Sequence, residues 1–201
     1  MAGSKLKVAL RRVANDLVGA RAEFALVGGV AVSARTEPRF TRDIDFAVRV
    51  ASDAEAEALI IDLGYRIIAT AENLALGRLA TVRLLSPAPR HNPPVIDLLF
   101  ASSSIEPEVV ASAQLLHLSP TLELPVARPE LLLAMKLLSE KPARPQDAMD
   151  ILALLRVLDE EELDVTRSML DQISRRGAHR GKDLRATLEH FVELTRGEVE
   201  S

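Results

Sequence analysis

The stretch 24–50, FALVGGVAVSARTEPRFTRDIDFAVRV, constrains this chain more than any other part of it. An apolar strand over 24–27 runs into Gly28 and Gly29, a short helix over about 30–35 follows, and Pro38 interrupts it with a loop. A second apolar strand covers 44–50, with Asp43-Ile44-Asp45 at its start. Alternate residues of a strand share a face, so Asp43 and Asp45 point the same way while Ile44 and Phe46 point to the other side. Two carboxylates side by side on a strand are costly unless something cationic joins them. A divalent metal is the simplest remedy.

Composition bounds what such a strand can belong to. The 201 residues are 48% hydrophobic, enough for one ordinary domain, or one domain with a small helical appendage. A net charge of -4 argues against a chain that coats nucleic acid non-specifically, while local basic patches stay open. With no Cys, disulfides, zinc–thiolate sites and thiol nucleophiles are excluded. His91, His117, His179 and His190 lie far apart, without metal-ligand spacing. The N-terminal segment reads as an amphipathic helix over about 5–20 rather than a leader. No run of about twenty apolar residues is present, so no membrane span is expected and the cytoplasm is the default location.

The first two-thirds of the chain alternates helix and strand. Ser52 with Glu55 forms a capping-box pattern opening a helix over 53–63, which Gly64 closes. Strands are expected over 65–69, 78–85 and 95–100, a proline-rich loop over 86–94, a helix over 106–113 and short strands over 114–126. From Arg128 the pattern is helical. Pro129 and Pro145 suit the first turns of helices reaching about 139 and 155, and two more cover about 160–174 and 182–196. The fold class is thus α/β (α+β), with an α/β region over 1–127 and a helical region over 128–201.

Thirteen residues separate Gly29 from Asp43, and a third acid, Asp97, sits in the apolar run Val95-Ile96-Asp97-Leu98-Leu99. A glycine pair alone is a turn, and a lone Asp-x-Asp is often a solvated strand edge. In this order, on expected strands, the elements together favour catalysis. They resemble the nucleotidyltransferase superfamily of the DNA polymerase β type. The resemblance implies a mixed sheet flanked by helices, followed by a helical bundle. It also implies that Asp43, Asp45 and Asp97 are catalytic and hold two magnesium ions, and that Gly28 and Gly29 let backbone N–H groups approach a triphosphate.

The loop Arg39-Phe40-Thr41-Arg42-Asp43-Ile44-Asp45 is similar to the R-x-T-x-D-I-D form of the AbiEii/AbiGii-type toxin branch. The single Lys136 in an apolar helix, followed by Arg144-Pro145-Gln146-Asp147-Ala148-Met149-Asp150, resembles that branch too. Gln146 stands where the branch often has Lys. Lys136 has Glu140 one turn on as a surface partner, a weak arrangement, and the triphosphate as the functional one. Arg39 and Arg42 either neutralise phosphate at the pocket mouth or belong to a solvated loop. Asp147, with Lys136 as its expected partner, either lines the acceptor site or is structural. Asp150 reads as structural, joining the helix pair. The basic run Arg175, Arg176, His179, Arg180, Lys182 and Arg185 either receives an RNA backbone or is an exposed helix junction, and the lack of interleaved aromatics to stack bases favours the junction.

The expected chemistry is transfer of a nucleoside monophosphate from an NTP to a hydroxyl, releasing pyrophosphate. The branch implies an RNA acceptor, commonly the tRNA 3′ end, a toxin–antitoxin or phage-defence setting, and a cognate antitoxin partner. A small-molecule acceptor such as an antibiotic, and a nucleotide-binding module without turnover, are the alternatives.

Overall fold

The alternation of β2, with Ile44, Phe46 and Val48 buried and Asp43 and Asp45 only partly so, makes it a strand with one core face and one polar face. The computed structural model, which describes residues 2–87, 91 and 93–199, places this strand at the centre of a seven-stranded mixed sheet. The elements in chain order are α1 (Ala2–Gly19), β1 (Glu23–Val27), α2 (Gly28–Arg35), β2 (Asp43–Arg49), α3 (Asp53–Leu63), β3 (Arg66–Asn73), β4 (Arg78–Leu85), β5 (Val95–Leu99), α4 (Glu106–Ala111), β6 (Gln114–Ser119), β7 (Leu122–Val126), α5 (Pro129–Ser139), α6 (Pro145–Leu155), α7 (Glu160–Arg175) and α8 (Leu184–Val199). The strand order is β3-β4-β5-β2-β1-β7-β6. β2 pairs antiparallel with β1 and parallel with β5, and β4 closes antiparallel on β5.

These elements follow the expected ones closely. Ser52 accepts from the Glu55 N–H and Gly64 takes the left-handed conformation that ends α3, at φ 62°. The Glu55 carboxylate reaches one residue further back than a capping box requires, accepting from the Ala51 N–H at 2.6 Å. Two differences have physical causes. Helix α2 starts at Gly28, so the glycine pair forms its first turn instead of preceding it. Strand β3 runs on to Asn73 because its antiparallel backbone pairing with β4 holds polar residues that carry no apolar alternation. The loop expected over 86–94 lies partly outside the described residues.

The apolar faces meet in one core. Ile44, Phe46, Ile96 and Leu98 from the sheet, Leu17 from α1 and Leu132, Leu133 and Leu137 from α5 belong to a single buried cluster that reaches Leu170 and Leu188. Phe46 is fully buried and meets Phe24 edge-on, with ring centroids 5.4 Å apart. Among the described residues no helix is long and apolar enough to cross a membrane. Because Phe46 anchors the strand that carries both aspartates, Phe46→Ala should cost about 3–5 kcal/mol of stability. Equilibrium urea unfolding would show this as a lower midpoint with an unchanged slope.

Candidate active site

Backbone register brings the three acids together. Asp45 on β2 is the parallel partner of Asp97 on β5, so their side chains stand next to each other on one face of the sheet, with Asp43 two residues along. Val27, the last residue of β1, is the partner of Asp45 on the other side, so the glycine turn begins immediately beside it. Gly28 has φ +63°, and a Cβ there would fall 2.0 Å from Asp45 Oδ2. Both the conformation and the lack of space demand glycine. At Gly29 a Cβ would meet Arg39 Nη2 at 2.7 Å and Thr41 Oγ1 at 2.9 Å. The N-cap residue of α2, Val27, offers no side-chain cap to its first N–H groups.

The acid row is electrostatically loaded. Asp45 is half-buried by area but closely surrounded, and burial first, then the Asp97 and Asp43 charges, push its pKa up to about 7 against the pull of Lys136 and Arg83. Asp97 is buried, and both its oxygens accept from Arg83 on β4, at 2.8 and 2.6 Å. Among the described residues, no three acids or imidazoles are arranged to hold an ion as they stand.

The helical region supplies the cation. Lys136 on α5 reaches Asp147 Oδ1 at 2.9 Å and Asp150 Oδ2 at 2.8 Å on α6, and Glu140 lies instead near Lys182. Burial lowers the Lys136 pKa, but the two carboxylates outweigh it and leave the pKa above the usual lysine value. Asp150 also accepts a two-pronged bond from Arg39, at 2.6 Å on each oxygen, and an amide bond from Gln146 at 3.2 Å. Against burial, Arg39 and Lys136 hold the Asp150 carboxyl below its ordinary range. Arg39 is thus an internal tie rather than a solvated loop residue. Arg42 stacks on Phe40 at 5.6 Å and lines a separate cavity of about 490 Å³ with Asp43 and Pro94. It does not join Lys136.

Two recesses meet at the acids. One, of about 180 Å³, is lined by Gly28, Asp45, Ser103, Lys136, Arg144 and Asp147. The other, of about 670 Å³, is lined by Thr70, Glu72, Asn73, Thr81, Arg83 and Asp97. Ser102 and Arg180 border both, and Arg180 donates to the Ser102 carbonyl at 2.9 Å. Asp147 Oδ2 is buried and without a hydrogen-bond partner in the protein.

The family model described as nucleotidyl transferase AbiEii toxin, type IV TA system, matches residues 9–200. The chain belongs to this AbiEii family. It is a nucleotidyltransferase. No curated protein matches it. Among solved structures, an antigenic nucleotidyltransferase-like protein from Paracoccidioides brasiliensis is 18% identical, with 94% of each chain covered and a TM-score of 0.55. The antibiotic-resistance factor ANT(2'')-Ia is 16% identical, covering 89% of this chain and 97% of its own, with a TM-score of 0.56. At these identities the likeness is one of fold.

In this AbiEii-family chain the sequence motifs do not single out Arg83 or the Ser102–Ser103 turn, and they mark Arg144 only as part of the helix motif and Arg180 only as part of the basic run. Alternation in β4 sets Arg83 apart from buried Val82 and Leu84, a usable signal. Arg144, at the start of α6, and Arg180, between α7 and α8, reach the site only through tertiary packing. The basic run is largely spent internally: Arg176 bonds Glu108, Arg185 bonds Asp171 and Lys182 bonds the Leu137 carbonyl.

Asp45 binds its proton more tightly folded than unfolded. Stability therefore falls as pH rises from the ordinary carboxylate range through about 7, and the whole penalty is present above that. Asp45→Asn should raise the metal-free melting temperature at pH 8 by about 3 °C or more. The gain should shrink as the pH is lowered to 5, as thermal melts at the two pH values would show.

Proposed function

We propose that this enzyme transfers a nucleoside monophosphate from an NTP to a hydroxyl of an RNA, at the tRNA 3′ end, with magnesium, as the toxin of a toxin–antitoxin pair acting in phage defence. The observation that carries the chemistry is the Asp45–Asp97 register pair, with Asp43 on the same face beside a glycine-opened helix start. What supports the toxin setting is the family's own description.

The donor set fits magnesium. Asp43, Asp45 and Asp97 offer hard carboxylate oxygens, and the Asp45 pKa, raised by burial and then by the neighbouring acids, marks a place that a cation would stabilise. These three residues would hold two ions, which supply charge neutralisation along the phosphates and a more acidic acceptor hydroxyl. The chain's own groups do the rest. The first N–H groups of α2 and the Lys136 ammonium bind triphosphate oxygens in the smaller recess, which suits a phosphate chain rather than a whole nucleotide. Arg42, on the Asp43 side, draws the anionic substrate towards the acids. Asp97 faces the larger cavity and takes the proton as the acceptor oxygen bonds the α-phosphorus. The α–β bridging bond breaks and pyrophosphate leaves. Asp147 holds Lys136 with one oxygen and keeps the other for a substrate hydroxyl.

The α/β region over 1–127 and the helical region over 128–201 thus act as the two walls of one cleft. The reaction takes place in the cytoplasm, where nucleoside triphosphates and tRNA are found, and a cognate antitoxin opposes it. A small-molecule acceptor such as an antibiotic is the second reading. It is favoured by the internal use of the basic run, which leaves few cations for an RNA backbone.

Incubation with each α-labelled NTP and either total tRNA or a panel of hydroxyl-bearing antibiotics separates the two. Label should enter tRNA, and Asp43→Asn, which removes a charge with little change of shape, should reduce it to background without altering the fold. Label entering only the drugs would reject the RNA acceptor. Label transfer by Asp43→Asn at the parent rate would reject the catalytic assignment.

A further inference from the structure

We propose that Arg83 is a latch on Asp97: its guanidinium stands in for a cation on this carboxylate in the metal-free protein, and metal loading requires the fork to open. The proposal rests on the reading of Asp43, Asp45 and Asp97 as metal ligands. It adds a residue outside the acid set that controls when the set is complete.

The sequence places Arg83 between buried Val82 and Leu84, so it projects from the opposite face of β4. Register then aligns Arg83 with Asp97, and Asp97 with Asp45, in one row across three adjacent strands. The guanidinium uses two nitrogens on two oxygens, Nε to Oδ1 at 2.8 Å and Nη2 to Oδ2 at 2.6 Å. This planar, two-pronged match is the strongest that a carboxylate makes with a side chain, and it occupies both oxygens together. Asp97 cannot ligate a cation fully without giving up at least one of these bonds. Among the described residues, neither Asp43 nor Asp45 has an ion pair or a side-chain hydrogen bond, so the latch acts on one acid of the three.

The released guanidinium has somewhere to go. The Arg83 side chain is 46% exposed, against 10% for Asp97, and it borders the cavity of about 670 Å³. Opening the fork rehydrates the arginine and leaves the carboxylate in place for the metal. Arg83 is therefore a positioning residue that competes with the ion.

Mn²⁺ titration followed by electron paramagnetic resonance tests this without turnover. Arg83→Lys keeps the positive charge but cannot hold both oxygens, and Arg83→Gln removes charge and fork together. Circular dichroism checks that each variant is folded. Mn²⁺ should bind about tenfold tighter to Arg83→Gln, the scale of one charge-assisted bond, and about threefold or more tighter to Arg83→Lys. Adding Asp43→Asn to either variant should abolish the gain. Unchanged or weaker binding in Arg83→Lys, with Asp43-dependent binding in the parent, overturns the latch and leaves the metal site standing. Tightening in Arg83→Gln alone also overturns it, since that reflects charge at a distance. If no variant and no parent binds Mn²⁺ in an Asp43-dependent way, the metal reading itself fails.

Discussion

The site depends on a costly placement: Asp45 and Asp97 lie side by side on adjacent parallel strands, with Asp43 two residues away on the same face. Like charges directly opposite each other oppose strand pairing. The pairing survives because the intervening residues, Ile44, Phe46, Ile96 and Leu98, are locked into the core on the other face. A shift of one residue in β2 or β5 would bury carboxylates and expose these side chains, so the core fixes the register of the acids. Burial of the acid row, and then its mutual repulsion, show in the side chains. The Asp45 pKa rises to about 7 and Asp97 recruits Arg83.

The helical wall answers that charge with a prearranged cation. Lys136 is largely shielded on a helix whose buried side chains, apart from Glu130, are apolar, and two carboxylates from α6 keep it charged. Arg39, from the loop ahead of the aspartates, joins the same Asp150, so the loop, α5 and α6 are tied at one carboxylate. Buried ion pairs of this kind are poor sources of net stability, but breaking one by removing a single partner is expensive, so they fix one arrangement over others. Gly29 completes the fit, since its missing side chain is what lets Arg39 and Thr41 pack against the glycine turn.

Much of this was legible in the chain. Period-two alternation at 43–48 and the lone acid in 95–99 are local signals: they placed all three acids on strands and Asp43 and Asp45 on one face, while the face of Asp97 follows only from the β2–β5 register. Ser52, Gly64, Pro129 and Pro145 marked helix ends through backbone chemistry that needs no tertiary context. The sequence pointed to Asp147 as a partner of Lys136 but also offered Glu140, and the structure brings Asp147 and Asp150 to the ammonium. Contacts between distant segments left no local trace: Arg39 with Asp150, Arg83 with Asp97 and Arg180 with Ser102 depend on strand order and helix docking. The length of β3 was hidden for the same reason, since the partner strand supplies its hydrogen bonds.

Anomalous diffraction from crystals grown with Mn²⁺ and a non-hydrolysable nucleoside triphosphate would test most directly whether the three acids form one cation site beneath the glycine turn. The account predicts manganese within about 2.2 Å of oxygens from Asp43, Asp45 and Asp97 together, with the phosphates reaching the start of α2 and Lys136. Manganese held away from this acid row, or a triphosphate seated where it touches neither Gly28 nor Lys136, would contradict it.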